Sequence, residues 1–526
     1  MLHPKRVAGS ALVVSLVAVL LLPGCGGGKK QVEVIAKASP PLGRVIVVGF
    51  DGIDPEMIGQ FVAEGVMPNT ARLIEQGAFG GLMSTLPPSS ASAWTSAFTG
   101  VNPGKHGIYG FMGQPAPDAE GNIVFNTSLQ RGFNAVWQML GQHGLRSTVI
   151  NIPLTSPADS LNGLMVAGFP HASEDTSTFF WPRSLRQELT DYTFDAFRVM
   201  VAKDKEDRFI QKMEGIESKR LEVGLRLLDR HDWDLFWIVF TFTDRYQHYL
   251  WKYWDKNHPM YDPVGGAQYG GAIRDAYVMA DAYLGKFMDK MEPNDLLVLM
   301  SDHGFGRLYW TVNAQNFIYR TLGPTREVVC ADFFGAKFKM DVTGPNAEER
   351  YKSIRDRMIE GLRTFEDPAR GVRIIDSIYV KEQIYTGPYL SKAPDIVCLE
   401  NPDYVLFTLS RTPDLRVIDA GPAPDRAFSG FHRRRGTIGL YGSQVLAGQA
   451  FEARIVDITA IILAYLGVPA PSELDGRVPV QVFKNDLSPG LNLAKSNETG
   501  FRRPDLFVAQ DSKAMEKQLR AVGYIQ

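Results

Sequence analysis

Arg44-Val45-Ile46-Val47-Val48-Gly49-Phe50-Asp51-Gly52 is an unbroken apolar run closed by a carboxylate and a glycine. Continuous rather than alternating Val and Ile imply a strand covered on both faces, as in a parallel sheet lying between layers of helix. Residues 147–152, 164–169, 234–242 and 296–300 have the same character. Helix-period stretches at 55–64, 70–76, 134–141, 207–228, 271–291 and 455–466 alternate with these runs. The pattern predicts an α/β, doubly wound, mostly parallel sheet flanked by helices. Ligands in such sheets bind beyond the carboxyl ends of the strands. The residues that close each run therefore carry the functional information.

No long polar linker and no internal repeat interrupts residues 44–484, which read as one large domain with insertions. Pro, Gly and aromatic clusters break the rhythm at 104–126, 171–204 and 308–349, the expected cap insertions over a substrate pocket. Residues 485–526 form a polar tail with a helical piece around 512–521.

Lys5 and Arg6 precede an apolar stretch, residues 11–22, too short for a comfortable membrane span. It ends in Leu22-Pro23-Gly24-Cys25, which resembles a bacterial lipoprotein box with Cys25 as the lipidated residue. Residues 1–24 are thus expected to be a signal peptide and 25–43, beginning Cys25-Gly26-Gly27-Gly28-Lys29-Lys30, a flexible tether. Gly26 after the cysteine points to the outer membrane, so a periplasmic or cell-surface lipoprotein held by its lipid is the expectation. Without Lys5 and Arg6, 54 of the 56 basic residues face 58 acidic ones, a formal charge of −4 that disfavours nucleic-acid binding by bulk charge. Cys330 and Cys398 show no CxxC spacing; they either pair in an oxidising compartment or stay buried and free.

Seven residues, Asp51, Ser90, Asp244, His248, Asp302, His303 and His432, read together as two adjacent metal sites with a hydroxyl nucleophile between them. Asp51 closes the first run. Asp244 and His248 follow the 234–242 run and, four apart on a helix, share a face that can grip one ion. Asp302-His303-Gly304 closes the 296–300 run. His432 stands in a loop context, Ser429-Gly430-Phe431-His432-Arg433, and supplies the third protein ligand that Asp244 and His248 need. Ser90 follows Pro87-Pro88 where a short helix begins, and a helix N-terminus favours anions. By chemistry alone Ser89 and Ser92 are equally compatible. The sequence has no Walker motif, no GxSxG elbow and no Cys-x-Pro-x-Arg segment.

Gly49-Phe50-Asp51-Gly52, the Ser90 segment running into Thr99-Gly100 and His106-Gly107-Ile108, Asp244 with His248, Asp302-His303-Gly304, and His432 together resemble the type I phosphodiesterase and nucleotide pyrophosphatase family of the alkaline phosphatase superfamily, over about residues 44–480. The resemblance implies an alkaline-phosphatase-like fold and two divalent metal ions, most simply Zn2+, with Mn2+ or iron compatible with the same donors. It assigns Asp244, His248 and His432 to one ion, and Asp51, Asp302, His303 and the Ser90 oxygen to the other. Ser90, where the family commonly has threonine, would attack phosphorus and form a covalent phosphoserine.

One position departs from the pattern. The resemblance calls for an asparagine on a phosphate oxygen shortly after His-Gly-Ile, and this chain has Phe111. Phe111 is therefore a candidate substrate-binding residue of apolar character, which favours a phosphodiester, with a lipid-linked or alkyl ester as the expected class, over a nucleotide or a dianionic monoester. Lys105, Asn126 and Arg131 are candidate replacement donors. Phosphomonoesterase or phosphotransferase activity of the same superfamily, and a non-catalytic surface lipoprotein using metals as staples, are the alternatives.

Overall fold

A computed structural model of the protein describes residues 40–113, 125–171, 175–194, 205–332, 335–408, 418–420, 428–484, 495–496 and 499–502. The expected signal peptide, Cys25, most of the tether and the 512–521 helix lie outside the described residues. Among the described residues, no helix is long and apolar enough to cross a membrane.

Three strands, Leu296–Met300, Val45–Phe50 and Leu235–Phe240, run side by side and parallel at the middle of a nine-stranded sheet. Their register is in step: Val45 lies opposite both Leu235 and Leu296, so all three strands end at one level. Successive side chains of a strand point to opposite faces, and here both faces are covered. Ile46, Val48 and Phe50 pack with Phe236, Ile238 and Phe240 against the helices Pro55–Ala63, Pro68–Gln76, Glu206–Arg230 and Ala272–Met288. Val45 and Val47 pack with Leu235, Trp237 and Val239 against Ser90–Thr99, Val136–Gln142 and Asp457–Tyr465. Burial on both faces is why these strands read as continuous apolar runs.

Ser147–Ile150 and Gly163–Val166 extend the parallel array, and the two-residue strand Phe180–Trp181 closes that edge antiparallel. On the other side Arg435–Tyr441 runs antiparallel between Leu296–Met300 and Ala78–Met83, with Gln449–Arg454 at the edge. The fold is the mostly parallel, doubly wound α/β sheet expected, with an antiparallel strand inserted.

A separate four-stranded sheet, in the order Val328–Cys330, Lys337–Met340, Ile396–Glu400 and Ile375–Val380, packs on the helices Ala314–Leu322 and Ala347–Arg363. This layer reaches Glu400, past the 308–349 range marked by the breaks in composition. Cys330 and Cys398 are buried within it as free thiols, which decides between the two options left open by their spacing.

Candidate metal centre

Because three parallel strands end level, the residues that follow them converge. Asp51 directly follows Phe50, and the turn after it depends on Gly52 at φ +68°. A Cβ at Gly52 would sit 2.9 Å from a Phe305 ring carbon and 3.3 Å from Asp244 Cα, so only glycine fits. The helix Phe242–Trp254 begins two residues after its strand and carries Asp244 and His248 on one face. Asp302 and His303 follow Met300. His432 arrives by a different route: an antiparallel ribbon pairs Gly304–Arg307 with Gly430–Arg433, placing His432 opposite Phe305. That ribbon stacks the His432 ring on His303 with centroids 3.6 Å apart.

Asp244 Oδ1 lies 3.3 Å from both His248 Nε2 and His432 Nε2, which are 3.1 Å from each other. His303 Nε2 lies 3.6 Å from Asp51 Oδ1, 3.2 Å from Asp302 Oδ2 and 3.2 Å from Ser90 Oγ. Ser90 opens the helix Ser90–Thr99, whose first-turn N–H groups have no side-chain cap. Ser92 is instead engaged with Thr85 Oγ1 and the Ser89 carbonyl, whereas Ser90 lines the cleft with Asp51 and Asp244 and Ser89 lines the neighbouring cavity.

The hydrogen bonds orient the donors. His248, His303 and His432 each direct Nδ1 at a backbone carbonyl, of Gly430, Gly304 and Pro88 at 2.9, 3.0 and 3.2 Å. A carbonyl only accepts, so Nδ1 carries the proton and each Nε2 presents a lone pair to the centre. Lone pairs on His248 and His432 thus face one another and a carboxylate. Asp51 Oδ1, Asp244 Oδ1 and Asp302 Oδ2 are buried with no hydrogen-bond partner. Burial holds Asp51 well above the ordinary carboxylate range, with Asp302 and Asp244 adding to the shift, and burial with Asp244 pushes Asp302 up to about 8. Burial and His303 push His432 down to about 3. Burial opposes the ionisation of Asp244 as well, and only positive charge at His248 and His432 holds it below its usual range. Inward lone pairs and orphaned carboxylate oxygens, all in one buried cluster, are the donor set of a cation site. Two overlapping triads fit an ion each: Asp244, His248 and His432, and Asp51, Asp244 and His303.

Several supporting residues carry no mark in the sequence. Trp94 Nε1 donates to Asp51 Oδ2 at 2.9 Å, and the Gly52 N–H donates to Asp302 Oδ1 at 3.2 Å, fixing each carboxylate by one oxygen and leaving the other for the centre. Phe428 stacks on His248. Asn151, Phe169, Arg245 and Tyr249 join Phe111 around a narrow cleft over Asp51, Ser90 and Asp244. Asn151 could have been suspected from its place just after a strand, where it adopts φ +58°.

Phe111 lines the same narrow cleft as Ser90 and lies edge-on to Phe169. The replacement donors are elsewhere engaged. Lys105 Nζ is bound by Asp475 Oδ1 and the Glu473 carbonyl, both at 2.5 Å. Arg131 is buried in an ion pair with Asp159 at 2.7 Å. Asn126 Nδ2 donates to the carbonyls of Gly110 and Met112, holding the loop that presents Phe111. Lys105 is not among the residues that line the two cavities at the centre.

The family model of type I phosphodiesterase / nucleotide pyrophosphatase matches residues 45–432, most of the chain and every residue of the centre. The chain belongs to this family. Among solved structures it is similar to a phosphonoacetate hydrolase from Sinorhizobium meliloti 1021 in complex with phosphonoformate (TM-score 0.51, 16% identity, 83% of this chain and 98% of that one). It is also similar to human ectonucleotide pyrophosphatase / phosphodiesterase 5 (TM-score 0.50, 13% identity, 85% and 100%). At such identities the likeness establishes the fold. No curated protein matches the chain. A type I phosphodiesterase / nucleotide pyrophosphatase is a metal-dependent hydrolase of phosphoric ester bonds, and the buried Asp and His cluster is what this member brings to that chemistry.

Proposed function

We propose that the protein cleaves phosphodiesters by in-line attack of Ser90 Oγ on phosphorus. The Ser90 O–P bond forms as the bond to the leaving oxygen breaks, the hydroxyl proton being given up to solvent and one being taken up by the leaving oxygen; water then hydrolyses the phosphoserine, releasing the phosphate monoester and restoring the hydroxyl. The observation that carries this reading is Ser90 Oγ at the uncapped start of a helix, 3.2 Å from His303 Nε2 and beside the orphaned carboxylate oxygens.

Asp244, His248 and His432 would hold one divalent cation, and Asp51, Asp302, His303 and Ser90 the other. Such a pair, zinc by family likeness and manganese or iron by donor type, supplies Lewis-acid stabilisation of the attacking and leaving oxygens. The chain's own residues do the rest. Ser90 Oγ stands 3.2 Å from His303 Nε2, which places the serine oxygen beside the same donor that would hold the ion. The free N–H groups of the helix start face a phosphate oxygen. Phe111, Phe169 and Tyr249 exclude water from the cleft. Phe111 gives a non-transferred oxygen an apolar wall, which suits an ester group better than a second negative charge, so alkyl or lipid-linked diesters are the substrate class favoured over nucleotides.

The proposal also locates the enzyme outside the cytoplasm, lipidated at Cys25, on the strength of residues 11–25 alone. The test of the chemistry is Ser90→Ala in the metal-loaded enzyme. Hydrolysis of bis(4-nitrophenyl) phosphate should fall by about 10³-fold or more, and acid-quenched wild type should carry phosphate on Ser90. Turnover unaltered by Ser90→Ala would remove the serine from its role.

A further inference from the structure

A second cavity, of about 280 Å³, opens beside the nucleophile. Ser89, Phe111, Leu399, Tyr404 and His432 line it, with the exposed Asp376 also on its wall. Phe111 also lines the narrow cleft over Asp51 and Ser90, so the two spaces share a wall residue, and the second cavity is the space next to a phosphorus atom held at Ser90. A diester has two substituents to place. The volume is at the small end of ligand sites.

The charges around this cavity have different fates. Lys337 pairs with Asp332 at 2.6 Å, both buried. Glu400 Oε1 accepts from the N–H groups of Ala336 and Leu406. Three arginines follow one another where the ribbon strand Gly430–Arg433 passes into Arg435–Tyr441. Arg433 donates to the carbonyls of Phe431, His432, Arg307 and Pro402, and so braces the strand that carries His432. Arg435 pairs with Glu452 at 2.7 Å. Arg434, between them, lines the cavity, and among the described residues the one hydrogen bond of its guanidinium runs from Nε to the Ser84 carbonyl at 3.4 Å. Among the described residues no carboxylate pairs with it.

We propose that this cavity receives the second substituent of the phosphodiester, a short apolar arm that ends in an anionic group, carboxylate or phosphate, bound by Arg434. Phe111, Leu399 and Tyr404 supply the surface for the arm. The planar guanidinium supplies paired donors that match either anion. Arg434 is thus a specificity residue, and its assignment rests on the hydrolase reading above.

The test uses the metal-loaded enzyme and three 4-nitrophenyl phosphodiesters, whose second ester is butyl, 3-carboxypropyl or 3-phosphopropyl. Wild type should favour at least one anionic arm over butyl by about tenfold in kcat/KM, and the better of the two identifies the anion. Arg434→Gln should collapse that ratio towards one, while Arg434→Lys, which keeps the charge but not the fork, should retain part of it. A ratio unaltered in Arg434→Gln, or a wild type that favours butyl, overturns the assignment. Equal hydrolysis of all three esters overturns the assignment alone, whereas hydrolysis of none overturns the hydrolase reading and this inference with it.

Discussion

Asp281 and Asp302 are both buried carboxylates, and the protein treats them in opposite ways. Asp281, on the helix Ala272–Met288, accepts from Thr70 N and Thr70 Oγ1 at 2.7 Å each, and from Asn69 N and Nδ2 at 3.2 and 3.0 Å. It caps the helix Pro68–Gln76, whose own N-cap residue Met67 has no side-chain bond to give. Asp302 accepts one bond from Gly52 and turns its other oxygen, unpartnered, towards His303 and two more carboxylates. A carboxylate that builds the fold is completed by the chain. One that serves the chemistry is left incomplete, at a cost in stability, for something the chain does not contain.

Single substitutions should separate the two sharply. Asp281→Ala leaves three donors without an acceptor, Asn69 Nδ2 keeping the residue 281 carbonyl, and should cost about 3 kcal/mol or more of stability, with hydrolysis retained by the folded fraction. Asp302→Asn keeps the shape and the Gly52 bond but removes a crowded charge. It should lower hydrolysis by about 10²-fold or more while making the metal-free protein more stable at pH 8. Denaturant titration beside activity reads both; a destabilised metal-free Asp302→Asn would mean the centre is a structural network like that around Asp281.

The next contrast is between the metal-stripped and the loaded centre, and it has a pH window. Burial and Asp244 raise Asp302 to about 8, so the folded state binds a proton that the unfolded state releases near pH 4; this contribution to stability is lost as pH rises towards 8. Asp51 is raised as well and acts in the same direction. Burial lowers His303, and lowers His432 and His106 to about 3, so these histidines add stability as pH rises to about 6.5 and nothing beyond it. The two groups oppose one another below pH 6.5, and above it only the carboxylates titrate. Metal-stripped protein should therefore lose about 1–2 kcal/mol between pH 6.5 and 8, a slope that added zinc abolishes by keeping the carboxylates ionised. Thermal unfolding at the two pH values, with and without metal, measures it; equal slopes would place the cations elsewhere.

What the sequence disclosed follows the same division. The strands Val45–Phe50, Leu235–Phe240 and Leu296–Met300 were legible because both faces are buried, and the fold and the residues closing these strands followed from them. Ala78–Met83 and Arg435–Tyr441 were not, since Gly80, Gly81, Gly436 and Gly439 dilute their β character where neighbouring backbone and side chains press close. Trp94, Arg245 and Arg434 had no local signal at all: each acquires its part in the site from chain that is remote in sequence or from a cavity wall.

Lys105 gives the smallest contrast and shows why. Its place next to His106-Gly107-Ile108 suggested a substrate contact, but the helix Pro103–His106 turns the side chain to Asp475, where it ties the segment after Ser90–Thr99 to the chain near residue 475. Asn102 strengthens the same junction, its N–H and Nδ2 both donating to Asp475 Oδ2 at 2.8 Å. Partly exposed ion pairs of this kind contribute little, because water and salt screen them and a long side chain must be held still. Lys105→Ala should thus cost about 0.5–1 kcal/mol of stability and leave KM for every diester tested within about twofold of wild type. A KM raised tenfold with stability unaltered would return Lys105 to the substrate side and move the junction with Asp475 from the fold to the site.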